Sequence, residues 1–166
     1  MQGPVHRYLA ADHDRLDDLF RQASADPRNI AMDAYGRFRE GLLRHIGMEE
    51  NVLLPEAQRR GGGVPLAVAD RIRRDHGALA ALMVPPPDAA IINTVRAILR
   101  VHNALEEQEG GLYQECELLA GDEAEALLQR LTAVSPPPLR AFNGGPGIME
   151  ATRRAVERAG YAMQEE

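Results

Sequence analysis

The chain has 166 residues, 45% of them hydrophobic, which suffices for one domain with its own core and no disulfide support. All 19 basic residues are arginine, so Schiff-base chemistry, pyridoxal anchoring and the lysine of a phosphate-binding loop are excluded; the single cysteine, Cys116, excludes an intramolecular disulfide, a thiolate zinc site and an iron–sulfur cluster. A net charge of −6 with dispersed arginines, and only 4% aromatic residues, argue against a nucleic-acid surface.

No run approaches the roughly 18 consecutive apolar residues of a membrane span, and Met1-Gln-Gly-Pro lacks the basic start and apolar run of a signal peptide. A soluble cytoplasmic protein with no membrane or nucleic-acid partner is expected. Breakers at Asp26-Pro27, Gly61 to Pro65, Pro85 to Pro87 and Pro136 to Pro138 divide the chain. Between them, apolar residues at three-and-four spacing predict amphipathic helices. The first runs from about Val5 to Ala23, on Leu9, Leu16, Leu19 and Phe20. The second runs from Asn29 to Arg60, on Phe38, Leu42, Ile46 and Leu53. A third, Pro65 to Val84, carries Val68, Ile72, Leu79 and Met83, and a fourth starts behind Asp88 as N-cap, with Ile91, Val95, Ile98 and Leu105. Long helices with short connections predict an all-α, antiparallel up-down-up-down four-helix bundle over residues 1–134, followed by a C-terminal arm over 135–166.

A histidine lies on the core stripe of each helix. His13 is four after Leu9, His45 three after Leu42, His76 four after Ile72 and His102 four after Ile98. Four inward imidazoles need partners, and the partner they can share is a metal. His45 and His102 each have a glutamate four residues on, Glu49 and Glu106, about 40° round and 6 Å along a helix, so both side chains of a pair can reach one ion.

One such pair is weak evidence, but the pattern repeats. Asp12-His13-x-x-Leu16 recurs 63 residues later as Asp75-His76-x-x-Leu79, and His45-x-x-x-Glu49-Glu50 recurs 57 residues later as His102-x-x-x-Glu106-Glu107. Two helical hairpins therefore bring four His and two Glu to one central volume. That set suits two ions, each with two terminal imidazoles, sharing both carboxylates, with a bridging oxide or hydroxide to offset the remaining positive charge. Imidazole and carboxylate without thiolate suit iron, manganese or zinc, and two adjacent ions with open positions favour iron. Leu42, Ile46, Ile72, Leu79, Ile98 and Leu105 are expected to line an apolar chamber beside the site, and protons to compete with the metal below about pH 6.

The ordered set His13, His45-x-x-x-Glu49, His76, His102-x-x-x-Glu106 resembles the hemerythrin-like (HHE cation-binding) family of di-iron four-helix bundles, over about residues 5 to 115. The resemblance implies that His13 and His45 bind one iron, His76 and His102 the other, and that Glu49 and Glu106 bridge. Oxygen-carrying members have two histidines four apart on the third helix and an aspartate after the last histidine; here Ile72 and Ala80 flank His76, and the last acid is Glu106. The resemblance therefore points away from reversible oxygen transport. It points toward binding or reaction with oxygen, nitric oxide or peroxide, or toward iron handling and sensing. The alternative is a structural zinc or mononuclear iron site in an interaction or regulatory bundle.

Other residues receive plainer readings. His6 is expected at the end of the bundle, outside the ligand set. Asp12 and Asp75 are either solvated or orient an imidazole, while Glu50 and Glu107 are expected to pair with arginine. Tyr8 and Tyr35 are read as packing residues with bonded hydroxyls, and Cys116 as a small buried residue. Gly110-Gly111 predicts a kink or bulge in the fourth helix, and Gly121 a break in the helix from Tyr113 to Val134. The run Asn143 to Thr152 is similar to the phosphate-binding loop of lysine-decarboxylase-like nucleotide hydrolases. With no strands to support such a loop, it is read as a turn opening a helix from Ile148 to Ala159. Ile148, Ala151, Ala155 and Ala159 are expected to pack on the bundle or on a partner, a second copy included.

Overall fold

The computed structural model describes residues 1–165, and among them every regular element is helical. In chain order these are α1 (Pro4–Ala23), α2 (Met32–Met48), a π-helical turn (Glu49–Leu53), α3 (Leu54–Arg60), α4 (Ala69–Leu82), α5 (Ala89–Glu107), α6 (Leu112–Ala120), a 3₁₀ turn (Gly121–Glu123), α7 (Ala124–Thr132) and α8 (Pro146–Arg158). The long helices α1, α2, α4 and α5 form the expected bundle, with α1 against α2 and α4 against α5, while α6 and α7 cover α1. Pro4 opens α1, where its missing N–H is harmless, and Asp88 caps α5 by accepting from Ile91 N–H at 2.8 Å.

The core falls into two apolar clusters with the histidine layer between them. Leu16, Phe20, Phe38, Leu42, Leu79 and Ile98 belong to one cluster; Leu9, Met48, Ile72, Leu112 and Cys116 belong to the other. Each long helix thus runs from an apolar stretch on one side of its histidine toward the other cluster. Tyr35 packs fully buried in the first cluster with its hydroxyl 3.8 Å from Met83 Sδ, and the half-buried Tyr8 receives a hydrogen bond from Arg44 at 3.2 Å.

The interruptions differ from the sequence expectation. The second helix, read as continuous, holds the π-helical turn, in which Leu54 N–H donates to Glu49 five residues back. Pro55 supplies the cause: it has no N–H for the carbonyl four residues before it and clashes with that carbonyl, which widens the preceding turn. The fourth helix does not merely kink at its glycines. It stops at Glu107 and restarts at Leu112, through a turn with Gly110 at φ 74°. A Cβ at Gly111 would lie 2.6 Å from the Leu105 carbonyl oxygen and 2.9 Å from those of Glu106 and Gln108. Gly121 has φ 53°, as the break there requires.

The arm folds back on the bundle. Asn143 N–H bonds the Val84 carbonyl at 3.0 Å, the Arg39 guanidinium lies 4.3 Å from the Phe142 ring centroid, and α8 packs on α4. Its buried face is Thr152, Ala155, Val156 and Ala159; Ala151, expected on that face, is exposed. The buried stripe is centred on Thr152, and Ala151, one residue before it, lies about 100° round the helix and so faces outward.

The Gly111 turn yields a prediction. Gly111→Ala forces a methyl group against three backbone carbonyls that cannot move independently, so urea unfolding should show a loss of about 1–3 kcal/mol.

Candidate metal centre

The layer between the two clusters gathers His13 of α1, His45 of α2, His76 of α4 and His102 of α5, together with Glu49 of the π-helical turn and Glu106 at the end of α5. All six are buried, and both glutamates are completely enclosed. They form two overlapping groups, His13/His45/Glu49/Glu106 and Glu49/His76/His102/Glu106, within each of which one ligand atom per residue lies within 4.8 Å of the others.

Each imidazole gives Nδ1 to a carboxylate on another element. His45 Nδ1 meets Asp12 at 2.8 Å, His102 Nδ1 meets Asp75 at 3.2 Å, His76 Nδ1 meets Glu50 at 2.7 Å, and His13 Nδ1 meets Glu107. A carboxylate only accepts, so Nδ1 carries the proton in all four rings and Nε2 is turned to the centre. There Glu49 directs Oε1 to His45 at 3.2 Å and Oε2 to His76 at 2.9 Å, while Glu106 directs Oε2 to His13 at 3.1 Å and Oε1 to His102 at 2.9 Å. Each glutamate therefore addresses one histidine from each half of the repeat.

Burial opposes the charged form of His13, yet hydrogen bonds to Glu106 and Glu107 override it and raise its pKa from 6.5 to about 9. For His76, burial is likewise overcome by Glu49 and Glu50, to about 9; for His102, by the charge of Glu106 and by Asp75, to about 10. His45 is raised by Glu49 and Asp12 against burial. Burial raises Glu49, but His45 and His76 hold it well below the carboxylate range; Glu106 is also lowered, by His102 and His13, against burial and the charge of Glu49. Without an ion, protons on the imidazoles supply the positive charge that these carboxylates require.

The donor set fits metal ions. Glu49 Oε2, His76 Nε2 and Glu106 Oε1 are enclosed with no hydrogen-bond partner, although His76 Nε2 and Glu49 Oε2 are close, because the pair is not aligned as a hydrogen bond. Unpartnered buried polar atoms cost about 1–3 kcal/mol each, and an ion removes that cost for several at once.

Sequence reasoning assigned Glu50 and Glu107 to arginines. Glu50 does lie 3.5 Å from Arg73, but both acids face histidines, since the wider turn after Met48 and the end of α5 direct them across the layer. The repeat of Glu49-Glu50 as Glu106-Glu107 was the available signal. Asp12 and Asp75 are orienting groups rather than solvated ones, supported from outside by Arg15 at 2.9 Å and Arg71 at 3.3 Å. Tyr113, read only as part of a later helix, brings its hydroxyl within 2.6–3.1 Å of four of the central donor atoms. His6 is buried near the Tyr113 ring, 5.7 Å between centroids, and stands outside both donor groups.

A cavity of about 270 Å³ reaches His13, His45 and His102 from the exposed Asp17, Arg96 and Arg100. Of the residues expected to line it, Leu42, Ile46 and Leu79 do so. Ile72 and Leu105 do not, because they belong to the cluster on the other side of the histidine layer, and Ile98 is fully buried in the first cluster without reaching the cavity; Leu16, Phe20, Phe38 and Leu99 take their place.

Raised pKa values shift proton competition upward from the expected threshold near pH 6, so an ion displaces protons even at neutral pH. They also fix how the ion-free protein responds to pH. The folded values of His13, His76 and His102 lie above 6.5, so their contribution is complete below about pH 6.5 and is lost as pH rises through about 9 to 10. The lowered glutamates act oppositely, contributing above the carboxylate range and failing in acid. Thermal melts of the chelated protein should show a Tm that falls steadily from pH 7 to pH 10.

A family model described as hemerythrin HHE cation binding domain matches residues 5–134. No curated protein and no solved structure matches the chain. Among the described residues no helix is long and apolar enough to cross a membrane.

Proposed function

Because the chain belongs to the hemerythrin HHE cation-binding family, we propose that it is a non-haem di-iron protein that reacts with a small oxidant such as oxygen, nitric oxide or peroxide. His13 and His45 would hold one iron, His76 and His102 the other, with Glu49 and Glu106 bridging. The observation that carries this reading is the division of each glutamate, one oxygen toward His45 or His13 and the other toward His76 or His102. Iron held there would supply electrons to the small molecule.

The chain's own residues do the positioning. Asp12, Asp75, Glu50 and Glu107 hold the Nδ1 protons and keep all four Nε2 atoms turned inward. Leu16, Phe20, Phe38 and Leu42 make the approach apolar, which favours small neutral molecules and restricts water. Asn103 lines this cavity and has its Oδ1 buried without a partner, so a hydrogen-bond acceptor waits beside His102. Ile72, one turn before His76, is buried among apolar neighbours and offers no further donor; the missing imidazole favours reaction over reversible carriage. We propose a cytoplasmic location as well, with which the free, buried Cys116 is compatible.

Two experiments test it. Protein purified without added metal should contain iron, and Glu106→Ala should lose both ions rather than one, because each bridging carboxylate offsets two charges. Retention of two irons by Glu106→Ala would remove the bridging assignment. Anaerobic reduction, addition of oxygen and then removal of oxygen should give a visible spectrum that does not revert. Repeated reversal with oxygen pressure would make the protein a carrier, and zinc alone in native preparations would make the site structural.

A further inference from the structure

The phenolic oxygen of Tyr113 stands among four of the central donor atoms. It lies 2.6 Å from Glu49 Oε1, 3.0 Å from Glu106 Oε2, 3.0 Å from His13 Nε2 and 3.1 Å from His45 Nε2, on a fully buried ring. A hydroxyl offers one proton and two lone pairs, so it can satisfy at most three neighbours, and its single proton can serve one of the two carboxylates. Four polar neighbours exceed its hydrogen-bonding capacity.

The spacing is that of donors around one ion. Metal–donor bonds of about 2.0–2.2 Å set adjacent donors on the same ion roughly 3 Å apart. Around this half of the centre, His13 Nε2 is 3.1 Å from Glu106 Oε2 and His45 Nε2 is 3.2 Å from Glu49 Oε1. The phenolic oxygen stands at nearly the same distance from all four, as an apex stands over a base. The other half has no counterpart. Aligning Glu106-Glu107 with Glu49-Glu50, and allowing for the two extra residues that the second segment holds before Leu112, puts the apolar Leu54 opposite Tyr113, and all three unpartnered central atoms, Glu49 Oε2, His76 Nε2 and Glu106 Oε1, face that half.

We propose that Tyr113 is a fifth protein ligand to the ion between His13 and His45, so that the two metal positions differ and the more open one lies at His76 and His102. On binding, the phenol O–H bond breaks, an oxygen–metal bond forms and the proton leaves to solvent. The assignment rests on the two-iron reading and adds to it. It also gives the turn at Gly110-Gly111 a function, since that turn aims the start of α6 at the centre.

The test loads the native chain and Tyr113→Phe with ferrous iron anaerobically, oxidises both in air, and records iron content, visible absorption and resonance Raman spectra. The ferric native protein should show a phenolate-to-iron charge-transfer band with enhanced phenolate ring vibrations. Tyr113→Phe should lose both and bind one of its two ions at least about tenfold more weakly, whereas Tyr8→Phe should change neither. Two bound irons without phenolate vibrations in the native protein, or with vibrations that persist in Tyr113→Phe, would overturn the ligand assignment and leave the two-iron centre standing. A native chain that binds no iron would overturn both. Should Tyr113→Phe fail to fold, the native Raman spectrum decides alone.

Discussion

Burying four imidazoles and their carboxylates in one layer is the constraint on which the rest of this bundle depends. A bundle interior cannot hold Glu49 and Glu106, completely enclosed, unless positive charge stands beside them. Four histidines supply it as imidazolium when no ion is present, and metal ions can replace those protons. The register of the helices follows, because a slip of one turn in any of them would carry its histidine about 5.4 Å out of the layer and set an apolar side chain against the carboxylates. Apolar clusters on either side then act as seals, which keep the ionic layer dry and its interactions strong.

The duplicated hairpins give the centre approximate symmetry, and three local features break it. A π-helical turn after Met48 sets Glu49 and Glu50 on their two histidines, whereas α5 simply ends after Glu106 and Glu107. Tyr113 enters one half only. Tyr161, just beyond α8, reaches the other half, donating to Asp75 at 3.4 Å and accepting from Arg71 at 2.9 Å. The asymmetry therefore arises at the end of the His-x-x-x-Glu-Glu motifs and in the segments that follow them.

What was legible in the sequence is local. Helix extents, the cap at Asp88 and the placing of histidines on apolar stripes all follow from spacing within one helix, and the repeat joined them into one centre. Relations between helices were less visible. The partner of Glu50 is set by α4 and that of Glu107 by α1, so counting from His45 or His102 on the same helix pointed to the solvent. Tyr113 lies seven residues after Glu106, two turns along an unbroken helix, but the intervening glycines end the helix and remove any basis for extrapolating its face. The π-helical turn did have a local signal in Pro55, whose missing N–H lengthens the turn before it.

The arm completes the layer's outer support. Asp75 is fully buried between His102 on the inside and Arg71 with Tyr161 on the outside, so one carboxylate accepts from the centre and from the C-terminal segment together. Its counterpart Asp12 has Arg15 in the corresponding place and no tyrosine beyond it. Two donors share one oxygen of this carboxylate, since both His102 and Tyr161 contact Asp75 at Oδ2, while Arg71 takes Oδ1. The charge on His102 and the anchorage of Tyr161 are therefore settled at the same atom. Because α8 rests on α4, which also carries His76, the arm is attached to the half of the centre that Tyr113 leaves open.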